Sequence, residues 1–368
     1  MPERKKQFKG TKMRIIQLFS SLSYGDAISN DILAIYGIIK ASGYKTNIYA
    51  EKIDPRIPSE LAEDFSAYKP QESDLIILHI GGATKLNEWI KTVKCQKIMI
   101  YHNITPPEFF NGYNNKSADY CRRGLEQVKS LNSTFDMVFA CSEFNRQNLL
   151  EMGYTCKINV LPILIPFDDY KKQPDMSVLN KYDDDYANII FLGRVVPNKK
   201  SENVISAFSA YQKNYNKKSR LFLVGNPDNC ENYSEKLKEY AKKLNVKNVI
   251  FTGHTRFDEI LSYYKLSDLF LCMSEHEGFC VPLVEAMFFN IPIVAYASSA
   301  IPWTLNGSGF LLEEKNPELT AAVMNRILTD SSLKEKILKN QQERLSDFNH
   351  EKVAEQFWNC MKDFIKQP

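Results

Sequence analysis

Short apolar runs of strand length alternate with helix-period segments almost from one end of the chain to the other, and few architectures accommodate that pattern. The first run, residues 14–19, leads through a polar loop, 20–25, into an amphipathic stretch, 27–41. There Ile28, Ile32, Leu33, Ile35, Ile38 and Ile39 recur at helical spacing. Strands are expected at 46–50, 74–80, 97–102 and 135–140, and helices at 86–94, 118–131 and 144–152. Such alternation predicts a parallel sheet covered by helices on both faces.

The pattern pauses at Leu161-Pro-Ile-Leu-Ile-Pro-Phe-Asp-Asp-Tyr170 and stays polar to Asp185, which suits an interdomain hinge. It then restarts. Strands are expected at 188–192, 220–224, 249–252, 269–273 and 291–295, with helices at 202–215, 234–244, 258–264 and 282–289. The tail, 317–367, reads as helical, with Asn349 marking a cap between two helices. The 368 residues therefore divide into an α/β domain at 1–168, a linker at 169–186, a second α/β domain at 187–348 and a closing helix at 349–368. Both domains are expected to be doubly wound and Rossmann-like.

Charge and composition narrow the function classes. Forty-seven Lys and Arg against 44 Asp and Glu leave a net charge of +3, which argues against a polycation that coats nucleic acid. No run approaches the roughly 20 apolar residues of a membrane span, and the charged N-terminus has no apolar segment behind it. The eight cysteines form no Cys-x-x-Cys and the five histidines do not join them, so reduced thiols are expected, not a disulfide frame or a zinc site. A cytoplasmic globular protein follows.

In open parallel sheets, ligands bind beyond the carboxyl ends of the strands, so the residues just after each strand carry the candidates. Ser274-Glu-His-Glu-Gly-Phe-Cys-Val-Pro-Leu-Val-Glu-Ala-Met287 follows one strand and opens a helix, with Pro282 in its first turn. The amides of Gly278, Phe279 and Cys280 would lie free at that helix N-terminus, where a phosphate is favoured. Glu277 and Glu285 can accept hydrogen bonds from the hydroxyls of a sugar or a ribose, although an acidic residue also favours a first helical turn without any ligand. Phe191-Leu-Gly-Arg-Val-Val-Pro-Asn-Lys-Lys200 places Arg194 and Lys199 at a second strand end, where two cations suit a diphosphate; Lys200 is expected at the surface. His102, in Tyr101-His-Asn-Ile-Thr-Pro106, and Gly25, in Ser23-Tyr-Gly-Asp26, end two earlier strands. His79-Ile-Gly-Gly82, Gly225 and Gly253 also sit at strand ends and read equally well as turns.

The Glu277-x7-Glu285 element in its Ser-Glu-His-Glu-Gly-Phe-x-Val-Pro-Leu-Val-Glu-Ala-Met context resembles the signature of glycosyltransferase family 4 (group 1), and Gly193-Arg-x-x-Pro-x-Lys199 resembles the donor-phosphate motif of the same family. The similarity is strongest over 187–313; residues 24–28 and 101–106 are similar to a subgroup that builds bacterial surface polysaccharides. The resemblance implies a GT-B fold, with two Rossmann-like domains facing across a cleft, and retaining transfer of a hexose from a UDP- or GDP-sugar to a glycan or lipid-linked hydroxyl. It implies that Arg194 and Lys199 hold the diphosphate, with Gly193 in their turn. Glu285 would bind the ribose, and Glu277 the transferred sugar. Gly25 and the amides of Gly278, Phe279 and Cys280 would approach the donor, and His102 would sit near the transferred sugar and acceptor. It also implies that no metal or other cofactor is needed, and no Asp-x-Asp stands at the donor motifs, since Asp183 to Asp185 fall in the linker. The closing helix would cross to the first domain through Val353, Phe357, Trp358 and Met361.

An epimerase-like enzyme of the same fold would need acid and base groups that the motifs do not supply, and a nicotinamide dehydrogenase would need a Gly-x-Gly-x-x-Gly that follows no strand. The intact set Arg194, Lys199, Glu277 and Glu285 argues against a catalytically silent nucleotide-sugar binder, and turnover decides between the two. The basic cluster Arg4, Lys5, Lys6, Lys9, Lys12 and Arg14 suits either a solvated tail or weak peripheral contact with anionic lipid at the inner face of the cell membrane.

Overall fold

The computed structural model describes residues 13–362 and 364–365. Its contacts form two compact units. One takes the chain up to Ile104, Arg123–Ile165 and the residues from His350 onward; the other takes Thr105–Arg122 and Pro166–Asn349.

In chain order the first part of the fold runs β1 (Arg14–Leu22), α1 (Ala27–Ala41), β2 (Lys45–Ile53), β3 (Ala62–Asp64), β4 (Leu75–Ile80), α2 (Lys85–Trp89), β5 (Gln96–Tyr101), α3 (Asn115–Ser130), β6 (Met137–Ala140), α4 (Glu143–Glu151) and β7 (Lys157–Val160). All seven strands are parallel, in the order β3-β2-β1-β4-β5-β6-β7. Every residue of β4 is buried, as a central strand covered on both faces requires. Helix α1 starts where Asp26 accepts the Ser29 N–H, and it buries Ile32, Ile35, Ile38 and Ile39.

Arg14 is not part of a free basic cluster. Its Nε and Nη2 each donate to Asp74 at 2.8 Å, and Nη2 also donates to the Lys69 carbonyl at 3.0 Å. Asp74 is buried and takes the Tyr68 hydroxyl as well, so it needs that cation to offset its desolvation. The other members of the cluster, Arg4, Lys5, Lys6, Lys9 and Lys12, lie outside the described residues.

The second unit continues with α5 (Met176–Lys181), β8 (Ala187–Leu192), α6 (Ser201–Asn214), β9 (Ser219–Val224), α7 (Glu231–Lys243), β10 (Val249–Gly253), α8 (Phe257–Leu266), β11 (Leu269–Cys272), α9 (Val281–Phe288), β12 (Ile293–Tyr296), α10 (Ile301–Leu305), β13 (Phe310–Leu312), α11 (Pro317–Thr329) and α12 (Ser331–Leu345). The parallel sheet order is β10-β9-β8-β11-β12-β13. Strand order reverses between β8 and β11, which opens a crevice beyond their carboxyl ends. Residues 169–186 pack within this unit: Tyr170 is buried against Phe288 and Phe289, and Asp175 caps α5 and pairs with Arg256 at 2.5 Å. Asp184 and Asp185 pair with Arg220 and Lys218.

The last helix, α13 (His350–Met361), packs in the first unit. Val353, Phe357 and Met361 are buried, Phe357 lies 5.6 Å from Phe139 of β6, and Trp358 stacks on Tyr44. No helix among the described residues is long and apolar enough to cross a membrane.

Two buried features make checkable demands. Gly225, just after β9, faces the Gly193 carbonyl so closely that a Cβ would lie 1.9 Å from its oxygen. Gly253, the last residue of β10, also has positive φ but open space where a Cβ would stand. Gly225→Ala is therefore expected to destabilise the protein by about 2–4 kcal/mol through overpacking and strain. Gly253→Ala should cost only the left-handed strain, about 1–2 kcal/mol. Urea denaturation of the two variants checks the difference.

Asp31 is buried in α1 and accepts the Leu164 N–H at 2.8 Å. Burial pushes its carboxyl up to about 7, outweighing that hydrogen bond. Between pH 4 and 7, roughly, the folded chain then holds a proton that the unfolded chain has lost, so stability falls as pH rises. The full effect of such a shift is on the order of 4 kcal/mol. Thermal unfolding of Asp31→Asn from pH 5 to 8 should show a shallower decline than the parent; parallel curves would remove the assignment.

Candidate active site

The candidate residues after β8 and β11 meet at the strand-order reversal. Beyond β8, Gly193 N–H donates to the Val224 carbonyl and Val195 N–H to the Asn226 carbonyl, which carries the loop along the end of β9. A single turn of 3-10 helix, Pro197–Lys199, then passes through Lys200 in left-handed conformation, φ 52°, into α6.

The loop after β11 is stitched to this turn. Glu275 N–H donates to the Asn198 carbonyl at 2.8 Å, and Asn198 Nδ2 donates to the His276 carbonyl at 2.9 Å. Between the loops, Lys199 Nζ donates to both carboxylate oxygens of Glu277 at 2.6 Å, with both side chains largely buried. The β12–α10 loop and α10 support the far side: Ser299 Oγ accepts the Glu277 N–H and Ser298 Oγ donates to the Ser274 carbonyl from the loop, and Thr304 Oγ1 donates to the Phe279 carbonyl from the helix. Phe279 is buried edge-on to Trp303 and Phe348, so only its backbone can serve a ligand. Cys280 caps α9 in left-handed conformation, φ 69°. The N–H groups of Phe279 and Cys280 have no protein acceptor among the described residues.

Arg194 is more exposed and pairs with Asp228 at 2.7 Å. Lys200 departs from the expected surface position. Its side chain is 26% exposed and lies 3.3 Å from Glu275, which also takes Lys315 at 2.6 Å. The left-handed backbone turns that side chain into the loop cluster. Asn198 Oδ1 in the 3-10 turn and Ser201 Oγ at the start of α6 are buried without a hydrogen-bond partner among the described residues.

Glu285, in α9, is half-buried and held by two residues that the motifs do not reveal. Its Oε1 accepts the Tyr170 hydroxyl at 2.7 Å and its Oε2 the Tyr264 hydroxyl at 2.5 Å. Burial raises its pKa, while the two phenols act the other way. The phenols are themselves pushed up, first by burial and then by the facing carboxylate.

Gly25 and His102 belong to the first unit. Gly25 follows β1 with φ 77° and open space where a Cβ would stand. His102 follows β5 and ends a directional relay. Gln17 Nε2 donates to the Ile32 carbonyl, so its Oε1 accepts from His79 Nε2 at 3.0 Å. His79 Nδ1 is then bare and accepts from His102 Nε2 at 3.0 Å. That leaves His102 Nδ1 to accept the Cys141 thiol at 3.5 Å. Burial brings His102 down to about 3 and His79 well below its ordinary value, so both rings are neutral at physiological pH. Sequence reading singled out His79 only as a strand end and missed Gln17 and Cys141.

Among the described residues, two trios bring metal-ligating atoms within 4.8 Å of one another: Asp31, His79 and His102, and Cys272, Glu277 and Cys280. In the second, Glu277 already lies against Lys199, and Cys280 hydrogen-bonds Cys272, lowering the one thiol and raising the other.

The family model for glycosyl transferases group 1 matches residues 172–344, the stretch that contains both loops. The mannosyltransferase WbdA of Escherichia coli is 24% identical over 258 residues, covering 65% of this chain but only 30% of that protein. The capsular polysaccharide glycosyltransferase CapM of Staphylococcus aureus is 24% identical over 199 residues, about half of each chain. Among solved structures, Anabaena HepE in complex with UDP-glucose superposes with a TM-score of 0.74 at 18% identity, over 95% of this chain and 99% of that one. Two parallel α/β sheets of seven and six strands give this chain the GT-B fold of its solved neighbours, and the segment similar to glycosyl transferases group 1 lies in the second of its α/β units.

Proposed function

We propose that the protein is a retaining hexosyltransferase that moves a sugar from a UDP- or GDP-sugar to a hydroxyl of a glycan or lipid-linked acceptor in polysaccharide assembly. The Lys199–Glu277 pair, beside the unpaired amides of Phe279 and Cys280 at the start of α9, carries this reading. Arg194, Lys199 and those amides offer positive charge to a departing diphosphate. In this scheme Arg194 and Lys199, shared with Asp228 and Glu277, act with the helix end on the leaving group, and no metal is invoked. Glu277 faces the transferred sugar and Glu285 the ribose hydroxyls. The printed names of WbdA and CapM support the polysaccharide context, and the HepE complex supports a nucleotide-sugar donor.

The way the carboxylates are held supports front-face transfer over a covalent glycosyl-enzyme. Glu277 is bound through both oxygens to an ammonium and Glu285 through both oxygens to phenols, so neither is a free nucleophile. The departing phosphate oxygen can take the acceptor proton while the acceptor oxygen attacks from the same face. His102 is a neutral hydrogen-bonding group in this scheme, since a ring brought down to about 3 is a poor base near pH 7.

Glu277→Gln should lower kcat by about 10²-fold or more without weakening nucleotide binding, since it leaves the Lys199 ammonium to the diphosphate. Glu285→Gln should weaken UDP or GDP binding by about fivefold, the worth of roughly one hydrogen bond, when read by calorimetry. Equal nucleotide affinity in parent and Glu285→Gln would remove the ribose role. Proton NMR of the product anomer tests retention directly. Nitrogen-15 NMR should show His79 and His102 both neutral and protonated on Nε2 from pH 5 to 8; titration of His102 near 6.5 would overturn its assignment.

A further inference from the structure

The segment Thr105–Arg122 packs in the second unit beside the loops described above. Pro106 and Pro107 lead into a single turn, Pro107–Phe110, whose Phe110 is buried. Asn114 Nδ2 donates to the Asn229 carbonyl at 2.8 Å, and Asn232 Nδ2 donates to the Tyr113 carbonyl at 3.1 Å. At the other end, the Phe109 ring lies 6.3 Å from that of His276. Between these fastenings a pocket of about 290 Å³ is lined by Glu108, Phe109, Asn111 and Tyr113 on the segment, and by Lys200, Glu202, Pro197 and Tyr233 opposite.

We propose that this pocket is a subsite for one neutral sugar ring of the acceptor glycan, an inference that rests on the glycosyltransferase reading. Its size is at the low end of ligand pockets, about 300 Å³ upward, and suits one ring better than a whole nucleotide sugar. Phe109 and Tyr113 each have one face taken by a cation, Lys200 at 5.7 Å and Lys236 at 4.8 Å, and with Tyr233 they offer their remaining aromatic surface to the C–H groups of a pyranose.

The polar groups divide into spent and unspent. Tyr233 hydroxyl is bound to Glu202 and accepts the Ser201 N–H, and Lys200 lies against Glu275. Glu108 carboxylate and Asn111 amide have no side-chain partner among the described residues, so they remain available to sugar hydroxyls. Two carboxylates at the rim disfavour a phosphate, and so disfavour donor or lipid phosphate here. Lys200 follows Lys199 directly, and Phe109 touches the residue before Glu277, so a ring held here adjoins the proposed reaction centre.

Saturation-transfer NMR with methyl α-mannoside, methyl β-glucoside, methyl β-galactoside and methyl N-acetyl-β-glucosaminide, each with saturating UDP or GDP, tests the assignment. At least one glycoside should bind the parent protein, and Glu108→Gln and Phe109→Ala should each weaken it by about fivefold or more. Both variants should keep the parent's nucleotide affinity and melting temperature. Glu108 is exposed and its substitution conservative, so that variant remains readable even if Phe109→Ala unfolds. Binding by no glycoside, or binding unaltered in Glu108→Gln and a folded Phe109→Ala, overturns the subsite. Nucleotide binding in the same samples separates the two readings. If nucleotide binds and no glycoside does, the subsite alone fails; if glycoside binds and no nucleotide does, the donor reading fails and the pocket stands as a sugar site.

Discussion

The second unit is organised around one buried ion pair. Glu277 is 8% exposed, and a carboxylate so placed needs a cation and several donors to offset the loss of water. Lys199 supplies the cation from the loop after β8, and Ser299 receives the backbone N–H of the same glutamate. Removing either partner would strand the other as an uncompensated charge, so the two loops hold a common register. The backbone bonds between Asn198, Glu275 and His276 fix that register from the side. Reversal of strand order makes the arrangement possible, because only there do two loops leave neighbouring strands toward helices on opposite faces.

Much of the local geometry around the pair is unfavourable taken by itself. Lys200, Cys280 and Ser299 adopt left-handed backbone conformations without being glycine, and each lies in or beside one of the three loops. A conformation of this kind costs of order 1–3 kcal/mol and persists only where its surroundings over-determine it. Here they do so through the ion pair, the Ser299 acceptor and the buried Phe279. The result is a set of donors already aimed before a ligand arrives, which is what electrostatic stabilisation of a leaving group demands. The first unit shows the same economy differently. Gln17 can donate only one way to the Ile32 carbonyl, and that single choice propagates through two imidazoles to Cys141.

The main elements were legible because their signals are periodic. The isoleucines of α1 and the unbroken apolar run of β4 need no partner to be recognised. Strands β3, β7 and β13 were missed: they have three or four residues, and Lys157-Ile-Asn-Val160 is too short and too exposed to show a period. Residues 169–186 read as a linker for their prolines and aspartates, whereas Tyr170 finds its aromatic partners in α9 and just beyond it, more than a hundred residues away. At the site, Lys199 and Glu277 stood out as motif residues, but their direct pairing did not. Tyr264, Gln17 and Cys141 carry no local pattern at all. Their roles come from tertiary packing, as does the inward turn of Lys200, which a Lys-Lys dipeptide gives no reason to expect.

Glu277 and Glu285 belong to one short motif, yet the fold gives them different chemistry. Glu277 meets an ammonium, so its charge is balanced within the protein and the pair presents no net field to an incoming sugar beyond its local dipole. Glu285 meets no cation; burial pushes its pKa up, and two phenols stabilise its charged form. Phenols and ribose hydroxyls are the same kind of donor, and each carboxylate oxygen has lone pairs beyond the one a tyrosine uses. A ribose can therefore add to the tyrosine contacts or replace one of them at small net cost. A diphosphate would find only repulsion at Glu285, and at Lys199 an ammonium that it must share with Glu277. Environment, more than residue type, thus sets what each of two glutamates in a single stretch of chain can accept.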